Sequence, residues 1–105
     1  MLIALNKDGI QVKVLAWAIA RNGWEYYITE MPDEDGIFYA YVQGFESEFG
    51  TVSMAEIQPH IVVLKTASEI STDPRSDAHL LPPEGGRWLT DAEIAELESQ
   101  QATPA

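Results

Sequence analysis

The sequence predicts an α+β domain, an antiparallel and strongly curved sheet of about five strands with one C-terminal helix. Three observations point there. Residues 1–65 alternate short β-branched and aromatic runs with glycine-bearing turns. None of those turns has room for the crossover that parallel strands need, so the sheet is antiparallel and could curl into a small barrel. A capping box, Thr90-Asp-Ala-Glu93, then opens a helix near the end of the chain.

Taken in order, Asn6-Lys-Asp-Gly9 is a turn whose Asp-Gly pair supplies the positive φ. Ile10–Ile19 is a strand rich in Val, Ile and Trp, and Asn22-Gly23 is a hairpin signal. Trp24–Glu30 is a second, aromatic strand, and Met31–Gly36 is a polar loop broken by Pro32 and Gly36. Ile37–Gln43 is a strand, Gly44–Gly50 a connection and Thr51–Met54 a short strand. Ala55–Pro59 is one helical turn, and His60–Lys65 closes the β-meander of residues 1–65. Residues 66–88 form a long Ser/Thr/Asp/Pro-rich loop, a type of connection that is more often functional or disordered than merely structural. The helix spans 89–100, with Leu89 and Ile94 placed as a hydrophobic staple and a narrow stripe of Ile94 and Leu97 that must dock, near Trp88. Residues 101–105 are expected to fray.

A two-residue Asn22-Gly23 turn would set Trp17 opposite Ile28 and Ile19 opposite Tyr26. Leu15, Trp17, Ile19, Trp24, Tyr26, Ile28, Ile37, Tyr39 and Tyr41 then share one face, the expected core. The opposite face, with Val12, Val14, Ala16, Ala18, Tyr27, Thr29, Phe38, Ala40 and Val42, is also apolar. It calls for a cover: the helix, the sheet itself or a partner.

At 105 residues the chain is one domain, and 46% apolar content is enough for a core. It has no cysteine, which excludes disulfides, thiolate metal sites and a cysteine nucleophile. Six Lys+Arg against 17 Asp+Glu give a net charge of −11, which argues against direct binding to nucleic acid or an anionic membrane. No leader or spanning segment is visible, so a cytoplasmic location is expected.

The stretch Trp24-Glu-Tyr-Tyr-Ile-Thr-Glu30, Phe38-Tyr39, Gly44-Phe-Glu-Ser-Glu-Phe-Gly50 and Ser53-Met-Ala-Glu-Ile57 resembles the domain of unknown function 2958 family. That family's pattern runs W-x-W/Y-Y-V-T-E, then F-F-G-L-V-x-G-x-E-x-E-L-G, then S-L-x-E-L. The resemblance, over about residues 24–57, implies a compact α+β domain and a plasmid or mobile-element context. The family has no established activity, so it supplies no catalytic residues.

The acids are the most informative pattern. Between Arg21 and Lys65 there is no Lys or Arg but eight acids, Glu25, Glu30, Asp33, Glu34, Asp35, Glu46, Glu48 and Glu56. Such a field either keeps the chain in solution or fits a basic groove on another protein, one that normally holds nucleic acid. Eight of the ten aromatics lie from Trp24 to Phe49. Adjacent pairs such as Tyr26-Tyr27 and Phe38-Tyr39 must point to opposite faces, which gives either a two-sided core or an exposed Tyr27–Phe38 patch beside the acids. The expected interaction surface is therefore Glu25, Glu30, Asp33, Glu34, Asp35, Glu46, Glu48, Tyr27 and Phe38.

No nucleophile elbow or phosphate loop is present, and no catalytic residue, cofactor or metal is expected. Asp33-Glu34-Asp35-Gly36 lacks the spaced ligands of a calcium loop, and Pro59 interrupts any helix that would align Glu56 with His60. The expected function is a small acidic, non-enzymatic protein-binding module, an inhibitor or regulator encoded on a mobile element. The alternatives are a carboxylate/His-dependent hydrolase or metal-binding protein using His60 or His79, and a homodimeric accessory module paired through the aromatic sheet face.

Overall fold

A computed structural model describes residues 2–102. The strands are β1 (Leu2–Leu5), β2 (Gln11–Val14), β3 (Ala16–Ala20), β4 (Glu25–Ile28), β5 (Ile37–Gln43), β6 (Ser47–Ser53), β7 (Ile61–Thr66) and β8 (Arg87–Trp88). A one-turn helix α1 (Met54–Ile57) precedes β7, and α2 (Asp91–Ala102) ends the described chain. The strands form two antiparallel sheets, a three-stranded one in the order β2-β1-β8 and a five-stranded one in the order β6-β5-β4-β3-β7. The fold is α+β, as expected, but neither sheet closes into a barrel. The expected single strand Ile10–Ile19 breaks at Leu15, where the chain passes from one sheet to the other. Leu15 keeps the bend tied to the larger sheet, its N–H donating to Ile28 O at 2.8 Å.

The hairpin loops decide the register. Ala20 N–H donates to Trp24 O and Gly23 N–H to Ala20 O, so the loop is the three residues Arg21-Asn22-Gly23. Gly23 sits at φ 87°, the left-handed position that a type I turn with a following bulge requires. The Asn6–Ile10 and Asp33–Ile37 loops repeat the pattern. The extra residue sets Trp17 opposite Tyr27 and Ala18 opposite Tyr26, one place from the two-residue-turn register. Trp17, Ile19, Ile37, Tyr39 and Tyr41 do share a face, but their partner from β4 is Tyr27, while Tyr26 and Ile28 lie on the other side.

The sheets pack through that face. Tyr27 and Tyr41 of the large sheet meet Ala4, Val12 and Val14 of the small one, with Ile70 and Leu80 completing the cluster. On the reverse face Ile28, Phe38 and Ala40 are covered by Ile57, with Met54 and Ile61 beside them. The cover is thus α1, not the C-terminal helix. Strand β6 runs from Ser47 rather than Thr51, paired with β5 throughout, because Gly44-Phe45-Glu46 is only a hairpin tip.

The 66–88 segment supplies core. Thr66 and Glu69 make a capping box over a 3-10 turn, and Ser71 and Leu80 close a surface loop through Ser71 N–H to Ala78 O and Leu80 N–H to Ser71 O. Leu80 and Pro83 are fully buried, and burying a side chain of leucine size stabilises by roughly 1.5–3 kcal/mol. Arg87 and Trp88 then pair with Leu5 and Ala4.

Helix α2 begins at the expected capping box, with Glu93 N–H donating to Thr90 Oγ1 and Thr90 N–H to Glu93 Oε1. The helix extends beyond Gln100 to Ala102; residues 103–105 of the expected frayed tail lie outside the described residues. Arg87 grips Glu93 through both guanidinium nitrogens, at 2.9 and 2.8 Å. That grip, with the Thr90 N–H second, holds the Glu93 carboxyl down to about 2. A depressed carboxyl stabilises the folded state fully above its ordinary value of 4.5 and loses that contribution as pH falls toward 2. Helical ellipticity is therefore expected to decline as pH falls from 4.5 toward 2, with Glu93→Gln weakening that dependence, while Glu69 and Asp73, also lowered by their own partners, keep theirs. An identical acid profile in the variant would contradict this assignment.

Candidate functional site

The expected interaction residues separate into two groups of exposed acids, a buried aromatic pair and the half-buried Glu25. Glu30, Asp33, Glu34 and Asp35 are exposed around the β4–β5 loop, and Glu46 and Glu48 are exposed at the β5–β6 hairpin tip. Strand β5 lies between the two groups, and its length of ~20 Å keeps them from acting as one patch. Tyr27 and Phe38 do not belong to any surface: both are 0% exposed. Tyr27 fills the space between the sheets and Phe38 lies under α1, so the exposed Tyr27–Phe38 patch is corrected to a two-sided core.

Near the first group, Asp33 is committed to structure. Its Oδ1 accepts the N–H groups of Asp35 and Ile37, both at 2.9 Å, and so closes the loop. Glu30 Oε1 accepts Tyr39 N–H at 2.8 Å. Glu34 and Asp35 are the carboxylates left to face outward, and only they can be reversed in charge without touching the loop's frame. Among the described residues no group of three or more His, Asp or Glu side chains converges to hold a metal ion. His60 is exposed beyond α1 and His79 is half-buried in the 66–88 loop.

Glu25 turns inward. It is half-buried, its Oε2 accepts from Gln43 Nε2 at 3.3 Å, and the Trp17 indole N–H lies near without closing a hydrogen bond. Burial pushes its carboxyl up, against the smaller opposing effect of Trp17. Gln43 Nε2 also donates to Tyr27 Oη at 2.8 Å, Tyr27 Oη donates to Leu81 O at 3.1 Å, and Gln43 Oε1 accepts Glu84 N–H at 2.9 Å. Burial, with the Glu25 charge adding to it, drives the Tyr27 phenol well above the ordinary tyrosine range, so this hydroxyl is a fixed neutral donor. The network straps the 66–88 segment onto the large sheet.

The hairpin tip carries what sequence reasoning missed. Phe45 is 95% exposed, the edge of its ring set against Trp24 with centroids 5.3 Å apart and an interplanar angle of 82°. Trp24 can lie there because Gly44 has no side chain; a Cβ at Gly44 would come within 2.7 Å of the indole. Phe45 overlooks a recess of about 350 Å³ whose wall includes Lys7, Glu46 and Glu84, so acids outnumber the single cation. The signal was present in Gly44-Phe45-Glu46, a phenylalanine between a glycine and an acid. It was hidden by reading the seven residues from Gly44 to Gly50 as one connection.

No known family profile, curated protein or solved structure matches the chain. Among the described residues no helix is long and apolar enough to cross a membrane.

Proposed function

We propose that this chain is a non-enzymatic protein-binding module that docks through the Phe45 hairpin tip. The partner it fits presents an apolar pocket rimmed by Lys or Arg, the chemistry of a groove that otherwise holds nucleic acid. Phe45 is the observation that carries the reading: an aromatic ring with 95% of its surface in water has no packing role proportionate to its size. Aromatic anchors supply most of the energy of an interface, and a surrounding charged rim supplies steering and selectivity. Glu46 and Glu48 provide that rim, and neither forms an ion pair among the described residues, where the pairs are Arg75–Asp73 and Arg87–Glu93. With the mobile-element context that the family resemblance implies, the corresponding role is an inhibitor or regulator of a nucleic-acid-handling host protein.

The test is affinity capture from a lysate at low salt, followed by titration of the recovered basic protein. Phe45→Ala is expected to weaken binding by about 2 kcal/mol, roughly thirtyfold. Glu46→Lys with Glu48→Lys should slow association and flatten its salt dependence. Glu34→Lys with Asp35→Lys, at the far end of β5, should leave affinity unchanged. Binding that ignores both Phe45 and the tip acids would refute the proposal.

A further inference from the structure

The recess beside Phe45 is walled by three separate parts of the chain: Lys7 from the β1–β2 turn, Gly44–Ser47 from the hairpin tip, and Glu84 from the 66–88 segment. Each wall is held in place. The buried Asn6 accepts the N–H groups of Asp8 and Ile10 on its Oδ1, at 2.9 and 3.0 Å, and so fixes the turn that carries Lys7. Gly85, at φ 73°, lets the 66–88 segment close on that turn, since a Cβ there would come within 2.9 Å of Lys7 Cβ. Gln43 Oε1 accepts the Glu84 N–H at 2.9 Å, and Trp24 braces Phe45. The recess is therefore formed before anything enters it, which lowers the ordering cost of binding.

Its charges are not spent on the fold. The ion pairs of the described residues are Arg75–Asp73 and Arg87–Glu93, and Lys7, Glu46 and Glu84 enter neither. All three residues are exposed. Two carboxylates facing one ammonium leave the recess net negative, with an aromatic ring at its mouth that is almost wholly in water.

That chemistry selects the occupant. An anion would meet two like charges, and an apolar group would part three charges from water. A pair of carboxylates calls for a cation, and the ring beside them calls for one that can lie flat on an aromatic face. A guanidinium meets both demands: it is planar and weakly hydrated, and its fork of N–H donors reaches more than one carboxylate. An ammonium is compact, strongly hydrated and a poorer match to the ring. We infer that the recess receives an arginine side chain of the partner, its guanidinium against the Phe45 ring and between Glu46 and Glu84. The inference rests on the Phe45 tip as the docking point and names the residue of the partner's basic rim that meets it. Lys7 is then a built-in competitor, a cation that repels the incoming one and keeps the contact weak.

Titration of the full chain with acetyl-argininamide, followed through its amide NMR signals, tests this directly. The expected result is a saturable shift confined to Lys7, Gly44–Ser47 and Glu84, weaker with acetyl-lysinamide and absent with the neutral acetyl-citrullinamide. Glu84→Gln should weaken the arginine probe about threefold and Lys7→Gln should tighten it by about as much, the scale of an exposed charge pair. Both positions are exposed, so the amide spectrum should otherwise keep its folded pattern. Shifts that spread over every exposed acid, Glu34 and Asp35 included, overturn the inference. So does a lysine probe that binds as well as arginine, or a site indifferent to both Glu84→Gln and Lys7→Gln. A captured protein that needs Phe45 but ignores Glu84→Gln overturns the arginine contact and leaves the tip reading standing. Capture indifferent to Phe45→Ala, with the arginine titration as expected, removes the tip reading and keeps the recess.

Discussion

Tyr27→Ala is expected to destabilise the protein by roughly 3–5 kcal/mol, the range for truncating a large, fully buried aromatic. The ring is 0% exposed and stands edge-on to Tyr41, with centroids 6.1 Å apart, in the cluster that joins the two sheets. Truncation also strands Leu81 O and one donor of Gln43, the two groups that bind its hydroxyl. Tyr27→Phe keeps the ring and should cost only about 1–2 kcal/mol. Urea denaturation of both variants, together with Tyr26→Ala, separates the two registers of β4. The half-buried Tyr26 should lose clearly less on truncation than Tyr27. If Tyr26→Ala were the more damaging change, β4 would be paired one residue away from the register described.

Gly86→Ala should cost about 3 kcal/mol or more, for a backbone reason. A Cβ at this position would lie 2.1 Å from Leu5 O and 2.9 Å from Pro83 O, and neither atom can swing aside as a side-chain end can. Relief requires moving β8 off β1, which withdraws Trp88 from the core and opens its 3.0 Å hydrogen bond to Leu80 O. Gly50→Ala is the control. Nothing lies within 4 Å of its added Cβ, so the change should be neutral or stabilise β6 by up to about 1 kcal/mol. Equal thermal midpoints for the two variants would show that the β1–β8 contact tolerates the displacement.

The hairpin registers show where local reading stops. Asn22-Gly23 marks a turn in the sequence, and a turn is there, but two-residue and three-residue loops both use that dipeptide. The difference of one residue moves Tyr27 into the core and Tyr26 out of it. The capping box at Thr90 and the helical turn before Pro59 were legible because each depends on residues within four positions of one another. The role of Leu80 and Pro83 was not. A Ser/Pro-rich segment looks like a solvent loop until the gap between two sheets is there for it to fill.

The same division runs through the candidate site. Sequence alone set the acidic field, the absence of thiol chemistry, the antiparallel β-rich class and the C-terminal helix, because composition, alternation and capping are local properties of the chain. Tertiary structure decided which aromatics are available to a partner. Phe38 and Tyr27 are buried because α1 and the second sheet cover them, while Phe45, which belongs to neither cluster, touches Trp24 and stays 95% exposed. It also parted the acids into groups at opposite ends of β5. Burial and pairing depend on what the rest of the chain brings alongside a residue, and that is fixed only when the sheets have packed.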